Sequence, residues 1–309
     1  MKIFYPEGWR TANPFPGAGY TESLIREAVN SGEILEAGAV MCDNEHNLIV
    51  DLGSMRGIIP RNEGALGISD GSVRDIALIS RVGKPVMFTV SSFTTDKVGR
   101  KIASLSRRRA QERCRMEYIS TLTQGDIINA KVTHLEPFGA FCDIGCGIIA
   151  LLPIDSISVS RISHPRDRLN VGQNIKTVVR QITPDGRITL SLKELLGTWE
   201  ENAALFTQGQ TVTGTVRSVE EYGIFIELTP NLAGLAEPKD SIVAGSRVSV
   251  YIKSIIPEKM KVKLIIIDNF EASYTPELKY FVSSGKMDYW QYSPEGCFKK
   301  IASDFTVIP

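Results

Sequence analysis

Apolar and polar residues alternate over short stretches of this chain, and glycines stand between the stretches. In Ala130-Lys131-Val132-Thr133 every second side chain is apolar. Successive strand side chains point to opposite faces, so this pattern places one face in a core and the other in water. Short strands punctuated by glycine predict an all-β fold. Helical spacing shows in two short places. Ala110, Cys114 and Tyr118 predict an apolar stripe in the segment from Ser106 to Thr121. Trp199, Ala203 and Phe206 predict a second, with Thr198 as N-cap and Glu200 and Glu201 in the first turn.

The strand pattern repeats. The segment from Gly125 to Phe141 lies on Gly209 to Phe225 at an offset of 84 residues without a gap. Gly125 meets Gly209, Val132 meets Val216, Phe138-Gly139 meets Tyr222-Gly223 and Phe141 meets Phe225. Downstream, Gly147-Ile148-Ile149 meets Gly234-Leu235-Ala236, and Arg187-Ile188-Thr189-Leu190 meets Lys261-Val262-Lys263-Leu264. A weaker copy lies upstream, where Val50-Asp51-Leu52-Gly53 matches Cys142-Asp143-Ile144-Gly145. Self-similarity at this period marks tandem units. Five strands per unit, with a long connection after the third, predict tandem small closed or nearly closed five-stranded barrels joined by short helical connectors. That connection is much shorter in the last unit, between Gly234 and Gly245, than between Gly147 and Gly172.

The predicted organisation is an N-terminal extension over 1–32, a degenerate barrel over 33–106 and a helical linker over 107–120. A barrel over 121–192, a helical connector over 193–206, a barrel over 207–268 and a C-terminal extension over 269–309 follow.

Composition narrows the function. Lys+Arg and Asp+Glu are both 35, so a binder that relies on bulk positive charge is excluded and any nucleic-acid site must be local. The five cysteines are irregularly spaced, which fits reduced thiols in the cytoplasm. No run of eighteen apolar residues predicts a membrane span. His46, His134 and His164 lack metal-ligand spacing, and Cys142 and Cys146 lack a second pair, so they read as strand and turn residues. No phosphate loop, nucleophile elbow or dinucleotide fingerprint occurs, and carboxylates such as Asp126 and Asp143 read as turn formers. The expectation is a protein without catalysis, metal or cofactor.

The two stronger units resemble the S1 domain, the RNA-binding module of the OB class repeated in bacterial ribosomal protein S1. The residues that carry the likeness are Gly125 to Val132, Phe138-Gly139-Ala140-Phe141, Gly147-Ile148-Ile149, Val171-Gly172-Gln173 and Arg187 to Ser191, with their counterparts in the third unit. The resemblance implies an RNA face on the second and third strands of each barrel. Its aromatic platform would be Phe138 and Phe141 in one unit and Tyr222 and Phe225 in the other, with Arg187 and Lys261 near the last strand. Two departures stand out. Ala150 and Glu237 occupy positions where the family often has histidine, and the first unit reads Asn44-Glu45-His46-Asn47-Leu48 where an aromatic pair should sit.

Rings separated by glycine suit single-stranded RNA, whose bases can splay onto them. Lys131, His134, Arg180 and Arg187 in one unit, and Arg217, Lys253 and Lys261 in the other, are the cations expected to hold phosphates. A lone aromatic is usually core, and on that count Phe141 and Phe225 are the members expected to be partly buried. Arg107, Arg108 and Arg109, with Arg113 and Arg115, form a dense basic cluster. It reads equally as a phosphate track or as a solvated helix face paired to Glu112 and Glu117. His164 and Arg166 lie in the long loop, as further RNA contacts or as members of a surface loop with internal ion pairs.

The resulting expectation is a monomeric, cytoplasmic protein that holds single-stranded RNA in translation or RNA handling, with the ribosome as a further partner. A protein–protein adaptor in a ribosome or RNA-decay assembly competes with it, motivated by the aromatic-poor first unit and the aromatic flanks. A nuclease would need an acid cluster that the sequence does not supply.

Overall fold

The structure, a computed structural model, describes residues 4–9, 19–96, 98–270 and 277–306. Strands β1 (Ile34–Cys42), β2 (Leu48–Asp51), β3 (Arg56–Ile59), β4 (Pro85–Thr95) and β5 (Lys101–Ser106) close a barrel in the order β1-β2-β3-β5-β4. Strands β6 (Ile127–Glu136), β7 (Gly139–Gly145), β8 (Ile148–Pro153), β9 (Asn174–Ile182) and β10 (Ile188–Ser191) close a second. Strands β11 (Thr211–Glu220), β12 (Gly223–Thr229), β13 (Leu232–Ala236), β14 (Arg247–Ile256) and β15 (Lys261–Phe270) close a third, in the same order. The third and fifth strands of each barrel run parallel, and the other recorded pairings are antiparallel. Closure leaves no exposed strand edge, and alternate residues fill each interior. In the third barrel these are Val248, Val250 and Ile252 on β14 and Val262 and Leu264 on β15, all buried.

The chain forms two compact units: Met1–Leu122 with Asp143–Ile149, and Thr123–Cys142 with Ala150–Pro309. In the first, helix α1 (Glu22–Ser31) begins at Thr21, whose side chain accepts from Leu24 N, and ends at Gly32 at φ 64. It buries Ile25 and Ala28 against the first barrel's core. A short helix, α2 (Ile76–Ile79), follows β3. Helix α3 (Arg107–Glu117) starts where the Ser106 side chain accepts from Arg109 N, and it buries Ala110 and Cys114, with Tyr118 just beyond.

A buried polar node organises this unit. Arg107, 3% exposed, donates to both oxygens of Glu7 at 2.7 and 2.9 Å and to Gly64 O at 3.2 Å. Asp143, also buried, accepts from Glu7 N at 2.8 Å, Gly145 N at 2.8 Å and Gly147 N at 3.0 Å. Burial pushes the Glu7 carboxyl up, but the Arg107 and Arg81 guanidiniums and the Met87 N–H outweigh it and hold the carboxyl below its ordinary value. Burial, then the neighbouring Glu7 charge, pushes Asp143 up to about 7.

In the second unit, helix α4 (Trp199–Ala203) starts in a capping box between Thr198 and Glu201 and buries Trp199 in the third barrel's core. Arg168 comes from the long connection between β8 and β9 and is fully buried. It donates to Glu227 on β12, and Arg217 on β11 donates to the same carboxylate at 2.7 and 3.2 Å. Beside this triad, Asn231 donates to Lys193 O and Gly197 O at 2.8 Å each and accepts from Val159 N at 3.0 Å.

Residues 277–306 pack on both barrels of this unit. Trp290 and Tyr292 enter the third barrel's core, while Phe305 packs on Val178 and Leu195. Met287 N donates to Gly125 O at 2.9 Å and Ile127 N to Gly285 O at 3.1 Å. Strands β16 (Tyr289–Gln291) and β17 (Ala302–Asp304) pair as a small antiparallel sheet.

Two measurements follow from these buried charges. Glu227→Gln leaves Arg168 without its counter-charge in a dry site, so chemical denaturation of the second unit should show a loss of about 3–5 kcal/mol. A loss below about 1 kcal/mol would mean that the triad carries no such weight. Asp143 is raised in the folded state, so its contribution is complete below its unfolded value of 3.8 and is lost as pH rises through about 7. Glu7 is lowered, so its contribution is present above 4.5 and is lost only as pH falls. The first unit's melting temperature should therefore decline from pH 5.5 to pH 8; a flat or rising profile would contradict this.

Candidate nucleic-acid interface

The candidate face of the middle barrel is built on the turn between β6 and β7. Phe138 stands at the turn, 56% exposed, and its carbonyl accepts from Ile154 N at 3.0 Å. Phe141, one turnover along β7, is half-buried. The two rings meet edge to face, 6.0 Å apart at 89°. His134 stacks on Phe141 with ring centroids 6.4 Å apart, so Phe141 meets both rings. Thr133 Oγ1 donates to Phe141 O at 3.0 Å and ties β6 to β7 beneath them.

The third barrel repeats the arrangement. Tyr222 is 69% exposed, Phe225 is half-buried, and the rings meet edge to face at 6.1 Å and 85°. In each pair the outer ring is open to solvent and the inner one supports it. The glycine between them has a steric cause. A Cβ on Gly139 would lie 2.6 Å from Leu152 O, and one on Gly223 would lie 2.7 Å from Ala236 O. Only glycine lets the second strand approach the third this closely.

The predicted cations divide into three groups. Lys253 and Lys261 are exposed and take part in no ion pair among the described residues. Arg187 is exposed and pairs with Asp185 at 2.9 Å, His134 bonds Glu136 at 2.6 Å, and Arg180 donates to Ser156 Oγ at 2.5 Å. Lys131 is half-buried on β6, opposite Asn174. Arg217 differs: its guanidinium is turned onto Glu227 inside the second unit, which corrects its expected place as a phosphate contact.

In the arginine cluster the structure shows the ion pairs to Glu112 and Glu117 that one of its two readings expected, and Arg107 departs from both. Arg107 is buried on Glu7 and is not a surface cation. Arg108 binds Glu63 at 2.7 Å and Glu112 at 2.5 Å, and Arg113 binds Glu117 at 2.7 Å, so much of the helix is paired. Arg109 and Arg115 remain exposed. In the long loop, His164 accepts from Arg166 N at 3.2 Å and Asp167 caps the same turn, while Arg166 faces solvent. Cys142 lies within β7, and Cys146 takes φ 49 in the turn after it.

Sequence reasoning missed Glu227. Its signal was present in the repeat: the offset of 84 sets Glu227 on Asp143, and both acids are buried in the structure.

Known proteins resemble this chain in sequence. Residues 121–193 match the S1 RNA binding domain family. A small ribosomal subunit protein bS1 of Staphylococcus aureus (strain COL) is 28% identical over 261 residues, covering 79% of this chain and 64% of the relative. That of Rhizobium meliloti (strain 1021) is 26% identical, covering 77% of this chain and 41% of the relative. The chain thus spans between 41% and 64% of the length of these two curated relatives. A crystal structure of a multidomain protein with nucleic acid binding domains from Streptococcus pneumoniae is similar over 76% of this chain and 73% of its own, at 13% identity. Its TM-score of 0.26 is too low to carry an argument.

Gly139→Ala tests the geometry under the rings. Its Cβ would press on the backbone of Leu152 and Pro153, so the substitution should destabilise the middle barrel by about 1–3 kcal/mol in denaturant titration. An unchanged midpoint would show that β7 and β8 can part without cost.

Proposed function

With the middle barrel an S1 RNA binding domain within a chain of tandem OB-type barrels, we propose that this protein holds single-stranded RNA and does no covalent chemistry. The observation that carries this is the twofold occurrence of one device. Phe138 over Phe141, and Tyr222 over Phe225, each present an open ring on a half-buried one. A folded chain has little reason to leave the same large aromatic in water twice unless a partner covers it. Bases are the partners that flat rings beside cations suit, because every base has a π-face and every nucleotide a phosphate.

Arg180 and Arg187 in the middle barrel, and Lys253 and Lys261 in the third, supply the positive charge in this reading, and His134 adds a ring beside Phe141. Because both barrels lie in one compact unit, an RNA long enough to reach both sites gains affinity through effective concentration. The likeness to small ribosomal subunit proteins supports a role in translation, with the ribosome as a partner and the cytoplasm as the location. The first barrel, with Asn44 to Leu48 where the rings would be, has no stacking role in this reading.

The test is titration of a fluorescent single-stranded RNA at two salt concentrations. Each stacked base is worth about 1–3 kcal/mol, so Phe138→Ala/Tyr222→Ala should bind about 30-fold or more weakly than wild type. Wild-type affinity should fall with salt at a slope of about −0.7 per phosphate neutralised. Equal binding by both proteins would move the contact elsewhere, and no binding by either would favour the adaptor reading.

A further inference from the structure

We propose that the RNA track of the third barrel does not end at Tyr222 and Phe225. It continues around the outside of β13, β15 and β14 to Tyr251, a further stacking ring, over a floor of Leu235, Ile265 and three lysines. This rests on the RNA-binding reading above.

Strand register supplies the path. Phe225 pairs with Leu235 on β13, Leu235 with Lys263 on β15, and Lys263 with Ser254 on β14. Two residues along β15, Ile265 pairs with Tyr251, which pairs in turn with Thr211. With strands about 4.8 Å apart and residues about 3.3 Å apart, Tyr251 lies about 15 Å along the surface from Phe225. Several outward positions on this path are apolar, where a solvated barrel wall calls for polar ones. Leu235, Ile265 and Ile267 are exposed, and Tyr251 is 38% exposed.

The middle barrel shows what such a face ordinarily needs. Ile127 pairs with Val178 there as Thr211 pairs with Tyr251 here, so Val178 is the counterpart of Tyr251. Val178 is fully buried, because Leu195 and Phe305 cover it. The chain's own C-terminal extension thus closes this face on one barrel, and among the described residues nothing closes it on the other.

Charge decides the occupant. Lys253, Lys261 and Lys263 are exposed on this face and enter no ion pair among the described residues. Apolar platforms interleaved with unpaired cations suit bases and phosphates. A second copy meeting this face by its own twofold would set the three lysines against themselves. Continuity with the Tyr222 and Phe225 pair favours one RNA strand over a separate ligand.

The experiment titrates labelled oligouridylates of four and of twelve nucleotides against wild type, Tyr251→Ala, Lys263→Glu and Tyr222→Ala. Lys263 is exposed, so Lys263→Glu tests the track even if Tyr251→Ala disturbs folding. Tyr251→Ala and Lys263→Glu should weaken the twelve-nucleotide probe at least about fivefold and leave the four-nucleotide probe unchanged, while Tyr222→Ala weakens both. Loss in Tyr222→Ala without loss in Tyr251→Ala or Lys263→Glu overturns the extension alone. No loss in any variant overturns the extension and the aromatic reading together. A Tyr251→Ala protein that keeps its RNA affinity but changes its sedimentation gives the face to a second copy and overturns the proposal.

Discussion

Glu227 is the residue on which the second unit turns. It is a buried carboxylate between two guanidiniums, Arg168 from the long connection of the middle barrel and Arg217 from the third barrel itself. The gain from such a triad over well-packed apolar residues is small, because removing three charges from water costs nearly as much as their attraction returns. What it supplies is selection. A buried charge tolerates one arrangement of partners, so the connection between β8 and β9 has to seat Arg168 at Glu227. Arg168 Nε finds no partner among the described residues, while its two terminal nitrogens donate to Asp167 O and to Glu227. Asn231 adds three hydrogen bonds that tie the same connection, and the segment after β10, to the third barrel within one compact unit.

The arginines and lysines of this chain do different work as a result. Arg107, Arg168 and Arg217 present a planar fork to carboxylates in dry sites, a task that suits a guanidinium and not an ammonium. Lys253, Lys261 and Lys263 stay in water on the third barrel. With net charge zero, a chain that spends arginines on internal carboxylates has to keep its remaining cations gathered to attract an anionic strand. Basic residue counts along the sequence therefore overstate the exposed positive charge near Arg107.

The barrels were legible because their constraints are local. Glycine recurs at fixed offsets where a strand must pass close to its neighbour, as at Gly139 and Gly223. The helical stripes at Ala110 and Trp199 were legible through their spacing. The charge network was not. Arg168 is 59 residues from Glu227, and nothing in the spacing of either residue says that one will be buried on the other. The repeat did align Glu227 with Asp143, but it could not say that the first would meet arginines and the second a set of backbone N–H groups. Residues 277–306 follow no repeat, so their packing on two barrels had no periodic signal at all.

That extension also explains why equivalent barrels need not have equivalent surfaces. An OB barrel has the same outer wall in every copy of the repeat, and evenly repeated sequence would leave it uniformly polar. Here the wall at Val178 is apolar because Phe305 and Leu195 complete it, and the wall at Tyr251 is apolar with no segment of the described chain upon it. That open wall lies on the barrel that also carries the exposed Tyr222 ring and the exposed Lys253, Lys261 and Lys263. The asymmetry of two otherwise matching barrels thus follows from where the chain's last segment lies, and it divides them into one braced by the protein itself and one left open.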